Sequence, residues 1–303
     1  MDITVSMLET GMRYEGFLLV RSADQREGKT GEVNCKLWDG TVAPPPQGSV
    51  IKVRGLVQEY NGRKQLRIEK MRPAVDSDNV DLSLLVPCAP ETPDAYRARI
   101  EYTIECFQSE DLKKIVREML RLAGDDLEWF PAAQRLHHAE RTGLLHHTCS
   151  MLNTAEHIIQ AYPFLHGDLL RAGVILHDLS KITEMKSDEL GNVTDYTREG
   201  LLIGHLVMGV AKLHEAAKNV GVTGEIVVLL EHMIISHHGI PEYGSPKPPM
   251  FPEAEVLNWI DTLDARMNER EGIMARVPAG AFSEKIWSLD RRMYHPHYDD
   301  DAE

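Results

Sequence analysis

The chain has 303 residues, of which 43% are hydrophobic and 26% are charged, and its formal net charge is −14. This composition is that of an ordinary globular protein, and the length allows two domains that each bury a core. No apolar run approaches the roughly 18 residues of a membrane span, and the first residues lack the basic and apolar regions of a secretory signal. We therefore expect a cytoplasmic protein with no membrane partner. The four cysteines form no CxxC pair, which fits reduced thiols and argues against cysteine as a metal ligand.

The charge is unevenly distributed along the chain. Residues 1–75 contain 12 Lys and Arg against 9 Asp and Glu, a balance of +3, and the other 228 residues contain 21 against 38, a balance of −17. The negative total argues against a protein whose whole surface binds polyanions. The basic surplus is local, and it coincides with the segment whose pattern indicates β structure.

Within residues 13–72 the residue pattern repeats every second position, as expected when successive side chains face opposite sides of a strand. This pattern indicates several short strands. The pair Asn61-Gly62 between two such runs is the strongest short hairpin signal that a sequence offers. Breaks rich in Gly or Pro lie at 27–31 and 43–48. The pattern predicts a small antiparallel barrel, and the segment ending in VIKVRGLVQEYNGRKQLRIEKM resembles an OB-fold.

OB-folds commonly bind single strands through a basic groove and through aromatic rings that stack on bases. The candidates for such a surface are Trp38, Arg54, Tyr60, Arg63, Lys64 and Arg67. The alternative for each is a solvated position on a strand or, for the aromatic residues, a place in the core.

The whole chain is predicted to be multi-domain, with an all-β first part and an all-α second part. We place an OB-like barrel at 1–75, a Pro-containing linker at 76–92, a helical domain at 93–290 and an acidic tail at 291–303. Apolar residues at spacings of three and four predict helices over 95–107, 111–122, 147–162, 169–182, 201–220, 226–236 and 254–267. The interruption at 185–196 predicts a small hairpin or a loop.

Histidines and aspartates recur through the second part of the chain in a regular order. All 14 histidines lie between His137 and His297. The candidate metal ligands are His147, His177, Asp178, His205, His237, His238 and Asp261. Neutral imidazole and carboxylate groups suit divalent ions, and ligands from several helices commonly converge in a bundle core. The alternative for any single one is an exposed or hydrogen-bonded core histidine.

The order H…HD…H…HH…D resembles that of the HD-domain metal-dependent phosphohydrolases. His205, His237 and His238 exceed what a single-ion member of that superfamily needs, so we expect two ions. By resemblance to its two-metal phosphodiesterases, one ion would be bound by His147, His177, Asp178 and Asp261. Asp178 would bridge to a second ion bound by His205, His237 and His238.

Further residues near these positions are weaker candidates. Lys181 follows Asp178 by one helical turn, so we expect it on the same side, where it would contact a substrate phosphate and stabilise charge in the transition state. We assign supporting or substrate-contacting roles to His138, Arg141, His232, Asp264 and Arg266. Asp264 is alternatively a partner in a helix salt bridge, and Lys181 is alternatively a surface residue.

The segments HHAERTGLLHHTCSML, AGVILHDLSKI, YTREGLLIGH, HMIISHHG and LNWIDTLDARM, following an OB-like segment, resemble the YhaM-type exoribonucleases over nearly the whole chain. The resemblance implies shortening of single-stranded RNA, or also DNA, from its 3′ end to nucleoside monophosphates. It implies two divalent ions, with manganese preferred and iron, cobalt or magnesium as alternatives, and it leaves a homo-oligomer open. Three residues depart from the family pattern: Ser180 replaces Gly, His146 replaces Glu, and Glu140 replaces an aromatic residue.

Two other functions remain open at this point. A phosphodiesterase or phosphatase of the HD type would act on cyclic dinucleotides or small nucleotides, with the barrel as a regulatory module. A nucleic-acid-binding module with a vestigial second half would need no catalysis, although the complete set of metal ligands argues against it.

Overall fold

The computed structural model describes residues 7–20, 33–37 and 43–297. The chain divides into two compact units, Met1–Pro87 and Cys88–Glu303. Trp38 and the acidic residues 299–303 lie outside the described residues. No helix within the described ranges is long and apolar enough to cross a membrane.

The first unit contains a four-stranded sheet. Its strands are β1 (Arg13–Leu19), β2 (Asn34–Leu37), β3 (Val50–Tyr60) and β4 (Arg63–Pro73), in the spatial order β1-β3-β4-β2. Strand β3 pairs antiparallel with both β1 and β4. The predicted hairpin is confirmed, because Tyr60 pairs with Arg63 across a two-residue turn. Asn61 and Gly62 both have positive φ values there, 52° and 76°, as a tight hairpin turn of this kind requires.

The prediction of a purely antiparallel barrel is wrong in its strand directions. Strand β2 pairs with β4 in parallel, and the four described strands form an open sheet. A period of two reports which residues share a face, but it carries no information on the direction of the neighbouring strand. Strand β2 lies beside β4, at the edge of the β3–β4 hairpin.

One face of this sheet forms the core of the first unit. Its buried apolar side chains are Tyr14, Leu18, Ile51, Val53, Val57, Leu66 and Ile68, packed with Leu8. These side chains alternate mostly with exposed or half-buried ones along β1, β3 and β4, so most of the opposite face of the sheet is at least partly open to solvent.

The second unit is mainly helical. Its helices are α1 (Pro93–Glu105), α2 (Glu110–Ala123), α3 (Gly143–Ala161), α4 (Gly167–Leu176), α5 (Lys181–Glu184), α6 (Arg198–Leu202), α7 (His205–Asn219), α8 (Glu225–Ser236) and α9 (Pro252–Met274). Thr92 and Ser109 begin α1 and α2 as N-caps that accept hydrogen bonds from Ala95 and Leu112. Helix α4 is almost entirely buried among the others, which explains its uninterrupted apolar run.

Two predicted helices are interrupted. The helix expected over 169–182 ends at Leu176, and residues 177–180 form a turn before α5 begins. The helix expected over 201–220 is divided between α6 and α7 by Ile203 and Gly204. Apolar spacing continues across both interruptions, so periodicity alone does not detect them. Both place a predicted metal ligand at a helix end.

The sequence had predicted an all-α second part, but the second unit also contains β structure. Strands β5 (Met185–Ser187) and β6 (Val193–Tyr196) pair as an antiparallel hairpin, in the segment where a hairpin or loop was predicted. Residues 281–295 also form short β-type contacts, including a hydrogen bond from His295 N to Ala281 O.

The start of α3 packs directly against the loop that contains His138. A Cβ atom added at Gly143 would lie 2.0 Å from the carbonyl oxygen of His138, a backbone atom with little freedom to move. We predict that Gly143→Ala lowers the free energy of unfolding by about 1–3 kcal/mol, as overpacking commonly does. Urea unfolding measures this loss.

Gly272→Ala in α9 is the matched control, because a Cβ at Gly272 meets no atom within 4 Å. It should leave the free energy unchanged or raise it by up to about 1 kcal/mol. Equal stability of the two variants would contradict the packing of α3 against this loop.

Candidate metal centre

Seven predicted ligands meet at one place in the helical unit. His147 lies in α3, His177-Asp178 follow α4, His205 is the first residue of α7, His237-His238 follow α8, and Asp261 lies in α9. His147, His177, Asp178, His205 and His237 are buried, and His238 and Asp261 are partly exposed. The structure therefore brings together side chains that are up to 114 residues apart in the sequence, from five separate elements.

Asp178 lies between two groups of ligands. Its Oδ2 atom is 3.3 Å from His177 Nε2 and 3.8 Å from His147 Nε2. Its Oδ1 atom is 3.6 Å from the Nε2 atoms of both His205 and His237. Asp261 Oδ1 completes the first group at 3.3 Å from His147 Nε2.

Each group offers three ligand atoms close enough to bind one ion. The first consists of His147, His177 and Asp261, and the second of His205, His237 and His238. The two carboxylate oxygens of Asp178 thus face different groups.

The atoms that face Asp178 have no hydrogen-bond partner. They are Nε2 of His147, His177, His205 and His237, together with Asp178 Oδ1 itself, and all are buried. Buried polar atoms are almost always paired, so five atoms without a protein partner at one point mark a candidate ligand-binding site. Imidazole nitrogens and carboxylates are the donor set of divalent cations, and the cluster is compatible with binding them.

The opposite nitrogen of each ring is hydrogen-bonded. The acceptors for Nδ1 are Asp264 Oδ2 for His147 (2.7 Å), Val174 O for His177 (2.8 Å), Glu184 Oε1 for His205 (3.0 Å), Ile234 O for His237 (2.7 Å) and Tyr243 O for His238 (2.9 Å). A carbonyl or carboxylate at Nδ1 fixes the proton on that atom. The lone pair of the neutral ring is then on Nε2, directed at the ion position, as metal-binding histidines require.

Electrostatics favour the metal-binding forms of Asp178 and His237, whereas they favour the protonated form of His147. Burial alone would raise the pKa of Asp178, but the neighbouring Lys181 and His177 side chains hold it well below its usual value. Burial lowers the pKa of His237 to about 3. Burial also disfavours the charged form of His147, yet the neighbouring carboxylates of Asp261 and Asp264 raise its pKa overall. A cation must therefore displace a proton from His147.

Two carboxylates accept hydrogen bonds from the Nδ1 atoms of candidate ligands. Asp264, named from the sequence as a supporting residue or a salt-bridge partner, accepts hydrogen bonds from His147, His138 and Ser150. Glu184 was missed. It accepts from both the ring and the backbone N–H of His205, and its three-residue spacing after Lys181 repeats the Asp178-to-Lys181 step, a signal that was present in the sequence.

The remaining candidates lie in different surroundings. Lys181 is largely buried and its Nζ atom lies 2.7 Å from Asp178 Oδ2 while donating to Ala132 O; contact with a phosphate remains a prediction. Arg141 donates to Glu189 O in the hairpin. His232 accepts a hydrogen bond from Met250 N and contacts Phe251, and among the described residues it belongs to no group of potential metal ligands. Arg266 is exposed.

The candidate nucleic-acid residues of the first unit divide between two faces of the sheet. Arg54, Tyr60, Arg63 and Arg67 occupy the face opposite the core, as their pairing with exposed neighbours shows. Lys64 pairs with Glu59 on the other face, and its Nζ donates to Leu8 O.

We call the face opposite the core the outer face. Among the described strands it presents eight basic residues and two acidic ones, namely Arg13, Lys36, Lys52, Arg54, Arg63, Arg67, Lys70 and Arg72 against Glu15 and Glu69. Phe17 and Tyr60 lie among them, with Lys52 and Lys36 near their rings.

The helical unit has the defining features of HD-domain proteins, and a family model described as "HD domain" matches residues 144–266. This span includes all seven candidate ligands and both supporting carboxylates.

Full-length relatives identify the family more narrowly. The 3′-5′ exoribonuclease YhaM of Geobacillus sp. strain WCH70 is 36% identical over 305 residues, covering 95% of this chain and 93% of the relative. The proteins of the same name from Bacillus subtilis strain 168 and Listeria innocua are 35% and 37% identical, each covering 96% of this chain and 97% of the relative. The chain belongs to the YhaM family of 3′-5′ exoribonucleases. No solved structure matches it.

The unpaired nitrogens of the cluster lead to a prediction about stability. Addition of Mn²⁺ to chelator-treated protein should raise the melting temperature, because an ion that binds only the folded state adds about 2.7 kcal/mol at a free concentration of one hundred times Kd. His177→Asn should lose a large part of this shift, because His177 Nε2 faces the cluster. Differential scanning fluorimetry measures it.

His157→Asn provides the matched control, since His157 is an exposed histidine on α3. Its shift should equal that of the wild type. If His177→Asn shows the same Mn²⁺ shift as His157→Asn, the cluster does not bind the ion.

Proposed function

We propose that this chain hydrolyses single-stranded RNA from its 3′ end to nucleoside monophosphates, using two divalent ions, preferably manganese. The observation that carries this proposal is the position of Asp178, whose two oxygens face separate groups of unpaired imidazole nitrogens. Two ions at such a centre would supply a hydroxide at neutral pH and would stabilise charge on the attacking and leaving oxygens of a phosphodiester.

The residues of the chain perform the positioning. His147, His177 and Asp261 would bind one ion, and His205, His237 and His238 the other, with Asp178 shared between them. Asp264 and Glu184 fix the ring orientation of His147 and His205 through their hydrogen bonds. Because the ligands are buried and fixed before substrate arrives, little reorganisation is needed during the reaction.

Lys181 supplies a positive charge beside the shared ligand. Burial disfavours its charged form, but the charge of Asp178 outweighs this and raises the pKa of Lys181, so the ammonium persists at neutral pH. We assign to it, as a catalytic residue, a contact with a phosphate oxygen of the substrate. His138, Arg141 and His232 retain supporting roles as proposals, of which His138 has the most direct connection through Asp264.

The first unit would bind the RNA strand. An OB-type barrel remains part of this proposal, and the outer face of the described sheet would be the surface that follows the phosphate backbone. The basic side chains suit phosphates, and Tyr60, which is 59% exposed, offers a ring on which a base can stack. In this division of labour, residues 1–75 contribute affinity and residues 93–290 contribute the chemistry, joined by a linker at 76–92 and followed by a tail at 291–303.

The direction of cleavage tests the proposed activity. With Mn²⁺, a 3′-labelled oligoribonucleotide should release its label at once as a mononucleotide, and a 5′-labelled one should shorten through a series of intermediates. Asp178→Ala should lose at least 100-fold in kcat, because the shared ligand is removed, whereas His157→Asn should retain full activity. Denaturing gels resolve the products.

Turnover of a cyclic dinucleotide in preference to the oligonucleotide would overturn the exonuclease proposal in favour of a small-molecule phosphodiesterase. Unchanged activity of Asp178→Ala at equal metal content would overturn the assignment of the site.

The outer face leads to a prediction about salt dependence. In an Asp178→Ala background, which prevents cleavage, Arg54, Arg63 and Arg67 changed together to Ala should weaken RNA binding. The slope of log K against log salt should become shallower by roughly 2, since each lost phosphate contact on a single strand contributes about 0.7. Fluorescence anisotropy measures both quantities.

Lys64→Ala is the control, because its ammonium is hydrogen-bonded to Leu8 O on the opposite face. An equal loss in the control and in the triple variant would contradict the outer face as the binding surface. Hydrolysis of bis-p-nitrophenyl phosphate by the triple variant in the active background should be unchanged.

A further inference from the structure

A second cluster of metal-binding atoms lies behind Asp264, away from Asp178. It consists of His138 Nδ1, His146 Nδ1 and Glu140 Oε1. The two ring nitrogens are 3.1 Å apart, and Glu140 Oε1 is 2.7 Å from His146 Nδ1 and 3.7 Å from His138 Nδ1. We call these three residues the rear triad.

The dimensions of the rear triad suit a divalent cation. Bonds of about 2.0–2.2 Å from zinc to nitrogen or carboxylate oxygen place neighbouring ligands in a tetrahedron roughly 3.3–3.5 Å apart. The separations of 3.1 and 3.7 Å lie close to this value, and the 2.7 Å hydrogen bond between Glu140 and His146 would lengthen by about 0.6 Å on binding. Two histidines and one glutamate form a known zinc donor set that leaves a coordination position open.

Hydrogen bonding directs the lone pair of His138 into the triad. Its Nε2 atom lies 2.7 Å from Asp264 Oδ2, a carboxylate oxygen that can only accept, so this nitrogen carries the proton of the neutral ring. Nδ1 is then an acceptor, in a side chain that is only 2% exposed, and it faces the Nδ1 atom of His146. Two ring nitrogens at this distance, with a carboxylate beside them, require a cation or a proton between them.

The triad is accessible from solvent on one side. The side chains of Glu140 and His146 are 19% and 23% exposed, and His146 lines a cavity of about 590 Å³. Tyr96 also lines this cavity, and its ring stacks on that of His146 with the ring centroids 5.7 Å apart. A hydrated ion can therefore reach the triad without opening the core.

We propose that His138, Glu140 and His146 form a third divalent-metal site, of the borderline chemistry that zinc and cobalt prefer. This site does not depend on the two-ion centre proposed above. It is nevertheless connected to that centre, because Asp264 Oδ2 accepts hydrogen bonds from both His138 and the ligand His147. A cation in the rear triad holds His138 and thereby fixes the carboxylate that orients His147.

Cobalt is the probe that tests this site, because Co²⁺ replaces zinc and its visible absorption reports its ligands. Chelator-treated full-length protein is dialysed against Co²⁺, and the bound metal is measured by elemental analysis and visible spectra. Glu140→Gln and His146→Phe, of which the second keeps a ring against Tyr96, should each bind one equivalent less than wild type. His157→Phe, on the same helix, should bind as much as wild type.

The Asp178→Ala variant separates this proposal from the two-ion centre. It should still bind one equivalent of Co²⁺, and adding Glu140→Gln should remove that equivalent. If Asp178→Ala binds no Co²⁺, or if wild type, Glu140→Gln and His146→Phe bind equal amounts, then a shared proton occupies the triad and the third site is overturned. If the Asp178 cluster binds no metal, Glu140→Gln should still bind one equivalent of Co²⁺ less than wild type.

Discussion

The arrangement of the helical unit depends on the charge balance around one buried carboxylate. Asp178 is 2% exposed and is surrounded by four ring nitrogens that accept no proton from any neighbour. Isolated buried charges are costly, and buried unpaired acceptors add to that cost. Lys181 offsets the charge of Asp178 through their close ion pair, but it leaves the nitrogens unpaired. Buried imidazole nitrogens and a carboxylate in this arrangement are compatible with divalent cations, whose positive charge would offset that of Asp178.

A layer of hydrogen-bond acceptors around the cluster is as ordered as the ligands themselves. Backbone carbonyls serve His177, His237 and His238, whereas carboxylates serve His147 and His205. The carboxylates raise the basicity of the rings they contact more than carbonyls do, and they extend the network outwards. Asp264 carries this extension to His138 and Ser150. One carboxylate consequently joins the proposed two-ion centre to the rear triad.

The sequence predicted which side chains come together at the site better than it predicted the elements that contain them. His177-Asp178 and His237-His238 were recognisable because the chemistry of a metal site restricts residue type and order. The helix ends that present His177 and His205 were not predicted, since apolar spacing continues through the turn at 177–180 and through Ile203-Gly204. Glu184 was overlooked although its spacing was visible, and the separation of Lys64 from Arg63 and Arg67 required the strand register. The parallel direction of β2 had no local signal, because alternation is the same in both directions.

Anomalous diffraction from crystals grown with Mn²⁺ tests the central claim most directly. The account predicts two peaks, roughly 3.5–4 Å apart, one on each side of Asp178. Oδ2 of Asp178 would contact the ion bound by His147, His177 and Asp261, and Oδ1 the ion bound by His205, His237 and His238. A single peak, with His205 and His237 turned away from it, would contradict the account.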